Sequence, residues 1–216
     1  MSRKRLPAAA RRTEILAAAR RAYAKHGLNA SSLQIAAEAG VSDALIFRHF
    51  STKEALSRAV LRDLIQDQNT AYEAMGLTER GAKGLVHMLI LYFRACLAGL
   101  DTEHSERVRI LAGNLANQGD YARLAYRRAV RQGRKPLEQA LEEARADGDV
   151  VGYAIAAPNI IMYLEHLGSN VHLATASEDP IGAYDGSAEE QLQQLVWMAG
   201  RGLGLTEAAI ERNYNI

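Results

Sequence analysis

The feature that most constrains this fold is a pair of short helical segments joined by a tight turn, within residues 31–50. The first segment has apolar residues at three- and four-residue steps and is stopped by Gly40, while Ser42 can cap a second helix predicted over residues 43–49. That second helix is too short and too aromatic for an ordinary amphipathic helix. Its outer face must therefore have a use other than burial.

Further helices flank this pair on both sides. Apolar residues recur at helical spacing over residues 15–26, and Gly27 follows where a left-handed C-cap is expected. The stretch Ser31-Ser-Leu-Gln34 has the form of a capping box, and Ser51-Thr-Lys-Glu54 predicts another box that opens a long fourth helix. The first three helices thus form a helix-turn-helix unit.

The helical pattern continues beyond this unit, and no run with the two-residue period of a strand is present. Pro136 falls inside one predicted helix and should bend or interrupt it. We therefore predict an all-α chain, with a helix-turn-helix domain at residues 1–56, of which 1–10 are a flexible basic tail, and a larger helical domain at 57–216. The remaining helices are predicted over about residues 52–75, 85–96, 103–114, 121–146, 151–173 and 188–203.

Charge is unevenly distributed along the chain. Residues 1–56 hold ten Lys and Arg against four Asp and Glu, or about +6, whereas residues 57–216 hold sixteen against twenty-one, or about −5. A cationic segment of that size attracts a polyanion, which the acidic remainder would repel. A solvated tail explains part of the excess equally well, through Arg3, Lys4, Arg5, Arg11 and Arg12.

Signals for secretion or membrane insertion are lacking in the sequence. The basic N-terminus is followed by no apolar signal segment, and the most apolar run, residues 85–93, is short and contains His87. Cys96 is the only cysteine, so no internal disulfide and no cysteine-rich zinc site can form. We expect a soluble, cytoplasmic protein with no membrane partner.

The short helix over residues 43–49 is predicted to be the recognition helix of the unit. Such a helix is buried on one side and free on the other to enter a major groove. Leu45, Ile46 and Phe50 can supply the buried side. Taken singly, an aromatic or a histidine here is more often a packed residue than a contact. The exposed side and its rim would then consist of Ser42, Asp43, Ala44, Phe47, Arg48 and His49.

With these elements the chain resembles the TetR family of bacterial transcriptional regulators, over roughly residues 11–57. One departure is Phe47, where the family usually has a tyrosine whose hydroxyl reaches a phosphate. Phe47 cannot make that hydrogen bond, which leaves it packing or van der Waals contact. The matching elements are Ile15-Leu16-x-x-Ala19, Gly27, Ile35-Ala36-x-x-Ala39-Gly40-Val41-Ser42 and Phe47-x-His49-Phe50-x-x-Lys53-Glu54-x-Leu56.

The resemblance implies a set of DNA contacts. Residues 42–49 would read base edges and phosphates, and Lys53 at the start of the fourth helix would touch the DNA backbone. A helix N-terminus has free N–H groups and positive potential, to which Lys53 adds a full charge. Further phosphate hydrogen bonds are implied for Ser31, Ser32 and Thr52, although simple helix capping explains these three equally well.

The resemblance also implies an effector site between the fifth and eighth helices and a dimer formed by the last two long ones. Gly168 and Gly200 would permit close approach there. The effector residues, each of which is also explained as plain core, would be Met88, Tyr92, Phe93, Cys96, Asn114, Met162, Tyr163 and His166. The dimer residues would be Leu164, Leu167, Val171, Leu192, Leu195, Val196, Ala199 and Leu203.

Two other functions compete with this one. His87, His104, His166 and His172, with Glu165, suggest a metal-sensing regulator or a helical metal-dependent enzyme. No HExxH, paired Glu-x-x-His or nucleophile motif supports catalysis, so we predict no enzyme activity, no cofactor and no metal. The expected protein is a dimeric, ligand-responsive repressor that binds a palindromic DNA operator and is released by a small, largely apolar effector.

Overall fold

The structure is a computed structural model that describes residues 7–74, 79–98, 103–116, 119–175, 182 and 184–214. Within these ranges it is helical, and its only β pairing is an isolated bridge between Val150 and Leu205. The prediction of an all-α fold is confirmed. The helices are α1 (Ala8–His26), α2 (Ser32–Ala39), α3 (Asp43–His49), α4 (Lys53–Ala74), α5 (Gly81–Cys96), α6 (Glu103–Ala116), α7 (Asp120–Ala146), α8 (Ala157–Thr175), α9 (Ala188–Gly202) and α10 (Glu207–Tyr214).

The N-terminal helices follow the sequence pattern with small corrections. Gly27 ends α1 with a positive φ of 77°, but its ψ of 173° is extended rather than left-handed. The predicted cap of α4 is wrong by one residue, because the Thr52 hydroxyl, and not that of Ser51, accepts a 3.1 Å bond, from the Ala55 N–H. Of the predicted tail, residues 8–10 are helical and residues 1–6 lie outside the described chain.

The later helices differ more from expectation. α7 is not interrupted at Pro136, since buried Leu137, Ala140 and Ala144 hold its second half in the core. α8 starts at residue 157 instead of 151. Val151 is not helical, and its N–H donates to the Gly204 carbonyl at 2.8 Å. α10 was not predicted at all.

Contacts divide the chain into two compact units. The first unit comprises residues 1–68 and 109–122, and the second comprises 69–108 and 123–216. The first part of α4 therefore belongs with the helix-turn-helix, beyond the boundary at residue 56 expected from the sequence. In the first unit, the largest fully buried side chains are Ile15, Tyr23, Ile35, Ile46, Leu56 and Leu64, with Ile110 from α6.

The second unit is built around α5. Its buried face carries Leu85, Val86, Leu89, Ile90 and Phe93, and α8, α9 and α10 pack against it. These five residues span an arc of about 140° around the helix axis, from Leu85 to Ile90, so the buried face of α5 is wide enough for more than one partner. The helix is therefore the centre of the larger core.

Two glycines allow close helix packing inside the second unit. At Gly168 on α8, an added Cβ would lie 2.7 Å from the Cys96 Sγ and would also clash with Tyr92, both on α5. At Gly200 on α9, an added Cβ would lie 3.0 Å from the Ile210 Cδ1. The close approach expected of these glycines at a dimer interface is thus found within one chain.

We expect Gly168→Ala to destabilise the protein by about 1–3 kcal/mol, because α5 and α8 must move apart to admit a methyl group. Gly202→Ala is the matched control, since nothing lies within 4 Å of its added Cβ. The control should be neutral or slightly stabilising. Urea unfolding followed by circular dichroism measures both, and equal midpoints for the two variants would contradict this packing.

Candidate DNA-binding and effector-binding residues

The turn between α2 and α3 is fixed by backbone and cap chemistry. Gly40 adopts the left-handed conformation with φ 61° and ψ 38°, and its N–H bonds to carbonyls at the end of α2. Few residues other than glycine take this conformation without strain. The Ser42 hydroxyl then accepts from the Leu45 N–H at 3.3 Å and starts α3. The turn therefore sets the direction in which α3 leaves α2.

α3 is buried on one side only. Ile46 and Phe50 are 1% and 3% exposed, and Leu45 is half-buried. Ala44, Phe47 and Arg48, together with the cap residue Ser42, are exposed on the other side, and Phe47 is 39% exposed. The two other predicted contacts, Asp43 and His49, are half-buried. All six side chains thus lie on or beside one short helix with an accessible face.

The hydroxyls at the helix starts differ in what they have left to donate. Ser31 completes a capping box with Gln34 and lies 3.1 Å from its Oε1, so its proton is used there. The Glu54 carboxylate accepts from its own N–H and from the Thr52 hydroxyl, and these bonds lower the pKa of Glu54. The Ser42 hydroxyl only accepts in its cap. The Ser42 hydroxyl proton is therefore available to an acceptor on another molecule. Ser32, at the start of α2, is half-buried.

Most cations of the first unit are already paired or bonded. Arg11 bonds Glu14 at 2.6 Å, and Glu38 accepts from Lys25 and Arg21, which lower the pKa of that carboxyl. The Lys53 Nζ donates to the Asn29 carbonyl at 3.1 Å. Arg12 stacks on Phe50, with its guanidinium carbon 4.5 Å from the ring centroid. Arg11 and Arg12 therefore belong to α1 and not to a solvated tail.

A buried arginine joins α1 to α4. The Arg20 side chain is 7% exposed, and its NH1 lies 2.8 Å from Asp63 and 2.5 Å from Asp67, one turn apart on α4. Beside it, the Tyr23 hydroxyl lies 2.8 Å from the Ser57 hydroxyl, and burial raises the pKa of Tyr23. These polar contacts fix α4 against the helix that supports α2 and α3.

A sequence profile for bacterial regulatory proteins of the tetR family matches residues 15–60, from α1 through the start of α4. This span includes the buried arginine, the left-handed turn and the one-sided α3. Over these residues the chain matches the TetR family. No match was found among curated proteins.

Solved structures show a similar fold along nearly the whole chain. A TetR-like transcriptional regulator from Rhodococcus sp. RHA1 has a TM-score of 0.64 and 18% identity, over 92% of this chain and 98% of that one. The ketosteroid transcriptional regulator KstR2 of Mycobacterium tuberculosis has a TM-score of 0.62 and 19% identity, over 91% of this chain and 96% of that one. The fatty acid degradation regulator FadR from Bacillus halodurans has a TM-score of 0.60 and 18% identity, over 94% of this chain and 100% of that one.

The structure separates the residues predicted to hold an effector. On α5, Phe93 and Cys96 are fully buried, while Met88 is half-buried. The Tyr92 hydroxyl donates to the Leu164 carbonyl of α8 at 2.9 Å, so α5 and α8 do meet. On α8, Met162 is half-buried, Tyr163 is 61% exposed, and exposed His166 packs edge-on against Tyr126. Asn114 belongs instead to the first unit, where its Oδ1 accepts from the Ala122 N–H.

Two histidines that the effector prediction omitted meet in the second unit. The rings of His104 on α6 and His172 on α8 pack edge-to-face with centroids 5.1 Å apart. His172 Nδ1 is 2.8 Å from the Cys96 carbonyl, which only accepts, so Nδ1 carries the proton. His104 Nδ1 is 2.8 Å from the Arg107 guanidinium, which only donates, so His104 is protonated at Nε2. Nothing in the sequence indicated that these rings meet.

The Nε2–H of His104 is buried without a hydrogen-bond partner among the described residues. Burial, the positive charge of Arg107 and the neighbouring His172 together lower the pKa of His104 to about 3. The ring is therefore neutral at physiological pH and presents one donor to its surroundings. Burial likewise raises the pKa of the Cys96 thiol to about 12, so that thiol stays protonated.

The histidines considered for a metal site are dispersed. His87 lies 3.7 Å from Glu79, apart from the pair formed by His104 and His172, and His166 contacts an aromatic ring. Over the residues that the structure describes, no three His, Cys, Asp or Glu side chains are grouped so that they could hold a metal ion. The same part of the chain has no helix with the length and apolar character needed to span a bilayer.

Most residues predicted for the dimer interface are used inside the chain. Leu164, Leu167 and Leu195 are half-buried against the core of the second unit. The exposed large apolar residues on α8 and α9 are Tyr163 and Met198, at 61% and 52%. Five of the predicted interface residues are buried in the single chain: Val171, Leu192, Val196, Ala199 and Leu203. In this conformation a second copy cannot reach them.

We expect the stability of the protein to fall as pH drops below about 6.5, where the unfolded chain protonates His104 and the folded chain does not. The folded pKa is depressed, so this contribution is complete above the unfolded pKa and is lost towards pH 3. The loss for one such histidine is at most about 1.4 kcal/mol per pH unit. His104→Phe should flatten the dependence of melting temperature on pH.

The control for this measurement is His166→Phe, which removes an exposed histidine of the same unit and leaves an aromatic ring to contact Tyr126. It should keep the wild-type slope between pH 7 and 4. If His104→Phe kept that slope as well, the buried neutral ring described above would be wrong.

Proposed function

We propose that this TetR family regulator is a dimeric, ligand-responsive transcriptional repressor that binds a palindromic operator and is released by a small, largely apolar effector. The observation that carries the proposal is α3, with Ile46 and Phe50 buried on one side and Phe47 and Arg48 exposed on the other. A helix held in this way can enter a major groove without unpacking its own core.

The proposed DNA contacts divide into positioning and reading. Arg48 is exposed and has no ion pair within the described chain, so it is the free cation of α3 and contacts phosphate or guanine. Ser42 has a hydroxyl proton to donate to phosphate. Asp43 is half-buried in the first turn of α3, and the exposed part of its carboxylate can accept from cytosine. Ala44, Phe47 and His49 contribute shape and apolar contact.

Residues around α3 extend the proposed surface. Lys53 lies at the start of α4, where the helix N-terminus adds positive potential. Because Lys53 also bonds the Asn29 carbonyl, it orders the loop before α2 as well as presenting charge. Ser31, Ser32 and Thr52 lie at the starts of α2 and α4. The Ser31 N–H already donates to the Gln34 Oε1 at 2.7 Å, so Ser32 and Thr52 are the proposed backbone donors here.

We expect Arg48→Ala to weaken binding to all DNA sequences and to reduce the salt slope of log Kd by about one. Arg145→Ala, at an exposed position in the second unit, is the control and should leave the slope unchanged. Operators selected from a random duplex library supply the probe, and sedimentation should show two chains on each selected duplex. Unchanged affinity and slope for Arg48→Ala would contradict the proposed docking of α3.

Dimerisation is proposed because one helix-turn-helix makes too few contacts for a specific site. Two recognition helices would have to be spaced by about 34–36 Å, one turn of DNA, or a multiple of it. α8 and α9 support the pairing with exposed Tyr163 and Met198 and half-buried Leu164, Leu167 and Leu195. Large exposed apolar side chains that cluster are typical of an interaction surface, and α8 and α9 both pack against α5.

The effector site is proposed beside α5 and α8, the helices that Tyr92 and Gly168 bring together. Half-buried Met88 and Met162 offer adaptable apolar surface, and the unpartnered His104 Nε2–H offers one donor. An apolar molecule with one acceptor group suits this chemistry. Similar folds include the ketosteroid regulator and the fatty acid degradation regulator described above, which supports an effector of this class.

We expect Met162→Glu to keep operator binding and to abolish release by an apolar effector, because a carboxylate near the site must be desolvated when the effector binds. Asn159→Asp adds the same charge at an exposed position of α8 and should respond as wild type. An effector coupling of about 1–3 kcal/mol changes operator affinity roughly 5–150-fold. Titration of operator complexes with steroids and fatty acids measures it, and a compound that binds without shifting operator affinity would count against release.

A further inference from the structure

Positive charge is concentrated on α7, in the part of the chain that is acidic overall. Six of the sixteen Lys and Arg beyond residue 56 fall between residues 123 and 135, and no Asp or Glu occurs from 121 to 137. Arg123, Arg127, Arg131 and Arg134, here called the arginine stripe, follow one another at four- and three-residue steps. Residues at these steps lie on one face of a helix.

The arginine stripe faces solvent. All four of its side chains are exposed. Arg134 bonds Glu138 at 2.8 Å, whereas the side chains of Arg123, Arg127 and Arg131 have no ion pair or hydrogen bond within the described residues. Like charges at this spacing destabilise a helix. Within the described residues, no ion pair offsets that repulsion for the first three arginines.

The opposite face of α7 is committed to the core of the second unit. Ala129, Leu137, Ala140 and Ala144 are buried there. Leu124 is the exposed large apolar side chain of α7, and one such residue does not make the apolar face that a helix lying on a membrane inserts between lipids. The stripe is a fixed row of charge on a supported helix.

We propose that the arginine stripe is a second, sequence-independent DNA contact that binds the phosphate backbone of duplex DNA. Arginine pairs with phosphate through two parallel N–H bonds, and all four charges of the stripe are arginine. The row extends for about 16 Å along the helix at 1.5 Å per residue, which suits a row of regularly spaced phosphates. No exposed aromatic residue lies in the stripe, whereas proteins that hold single strands stack bases on aromatic rings.

This inference does not depend on recognition of an operator. The helix-turn-helix proposed above reads sequence, and the stripe would add affinity for any duplex. Both can therefore be tested separately on the full chain, with random-sequence duplex for the stripe. The Arg48→Ala variant removes the cation of α3 and leaves the contribution of α7 to be measured in the same way.

The test compares Arg127→Gln/Arg131→Gln with the control Arg80→Gln/Arg94→Gln, which removes two exposed arginines elsewhere in the second unit. With a labelled random-sequence duplex, we expect the stripe variant to reduce the salt slope of log Kd by about 1.8, because each phosphate that an arginine neutralises contributes about 0.9 to that slope. The affinity of the stripe variant relative to wild type should then be reduced about twelvefold more at 50 mM than at 200 mM salt. The control should retain the wild-type slope.

Equal slopes for the two variants would overturn the proposal, and so would a wild type that does not bind the random duplex at low salt. Vesicles containing phosphatidylserine provide the alternative polyanion. If the stripe variant failed to bind vesicles and kept its full binding to duplex, the partner would be a membrane surface and the DNA assignment would be wrong. Circular dichroism of both variants confirms that α7 remains folded.

Discussion

The first unit depends on the contact between Arg20 and two carboxylates of α4. A guanidinium that is 7% exposed must be paired, because an unpaired buried charge is strongly destabilising. Asp63 and Asp67 lie one turn apart, so a single side chain holds both and fixes the rotation of α4. α1 in turn packs against α2, and α2 against α3. The Arg20 contact therefore fixes α4 against the packed helices that carry the exposed side of α3.

The same ion pairs change the meaning of the charge in the first quarter of the chain. Arg20 is neutralised by Asp63 and Asp67, which lie beyond residue 56, so the net count of about +6 for residues 1–56 overstates what a polyanion can contact. The cation that remains free on α3 is Arg48. In the second unit the reverse holds, because a negative total conceals an exposed, largely unpaired row of arginines on α7. Net charge per domain is a poor guide once pairing is known.

The second unit is organised by the close approach of α5 and α8. Gly168 removes a side chain at the contact, and the Tyr92 hydroxyl and the His172 ring each bond to a backbone carbonyl of the other helix. His104, which packs against His172, is neutral because a charged ring would have to be desolvated beside Arg107. The proposed effector would meet a mostly apolar surface here, with the His104 Nε2–H as a donor that has no partner among the described residues. Such a surface favours ligands with few polar groups.

The sequence by itself determined the local features of the fold. The bounds of α3, its cap at Ser42 and the left-handed turn at Gly40 all follow from short-range chemistry, because a cap or a turn depends on residues within about one helical turn. The exposed side of α3 was predictable for the same reason. The non-helical segment at residues 151–156 was not predictable, since Val150, just before it, forms a bridge with the distant Leu205. The cap at Thr52 was missed because the neighbouring Ser51 carries a hydroxyl that could cap α4 equally well.

Only the tertiary structure decided which surfaces meet. The apolar stripes of α8 and α9 predict a dimer interface, yet Val171, Leu192 and Val196 are buried in the chain's own core. His104 and His172 lie far apart in sequence and share a contact that no local pattern encodes. Helical periodicity shows that one face of a helix is buried, but it carries no information about the partner, because any apolar surface of suitable shape satisfies the same pattern.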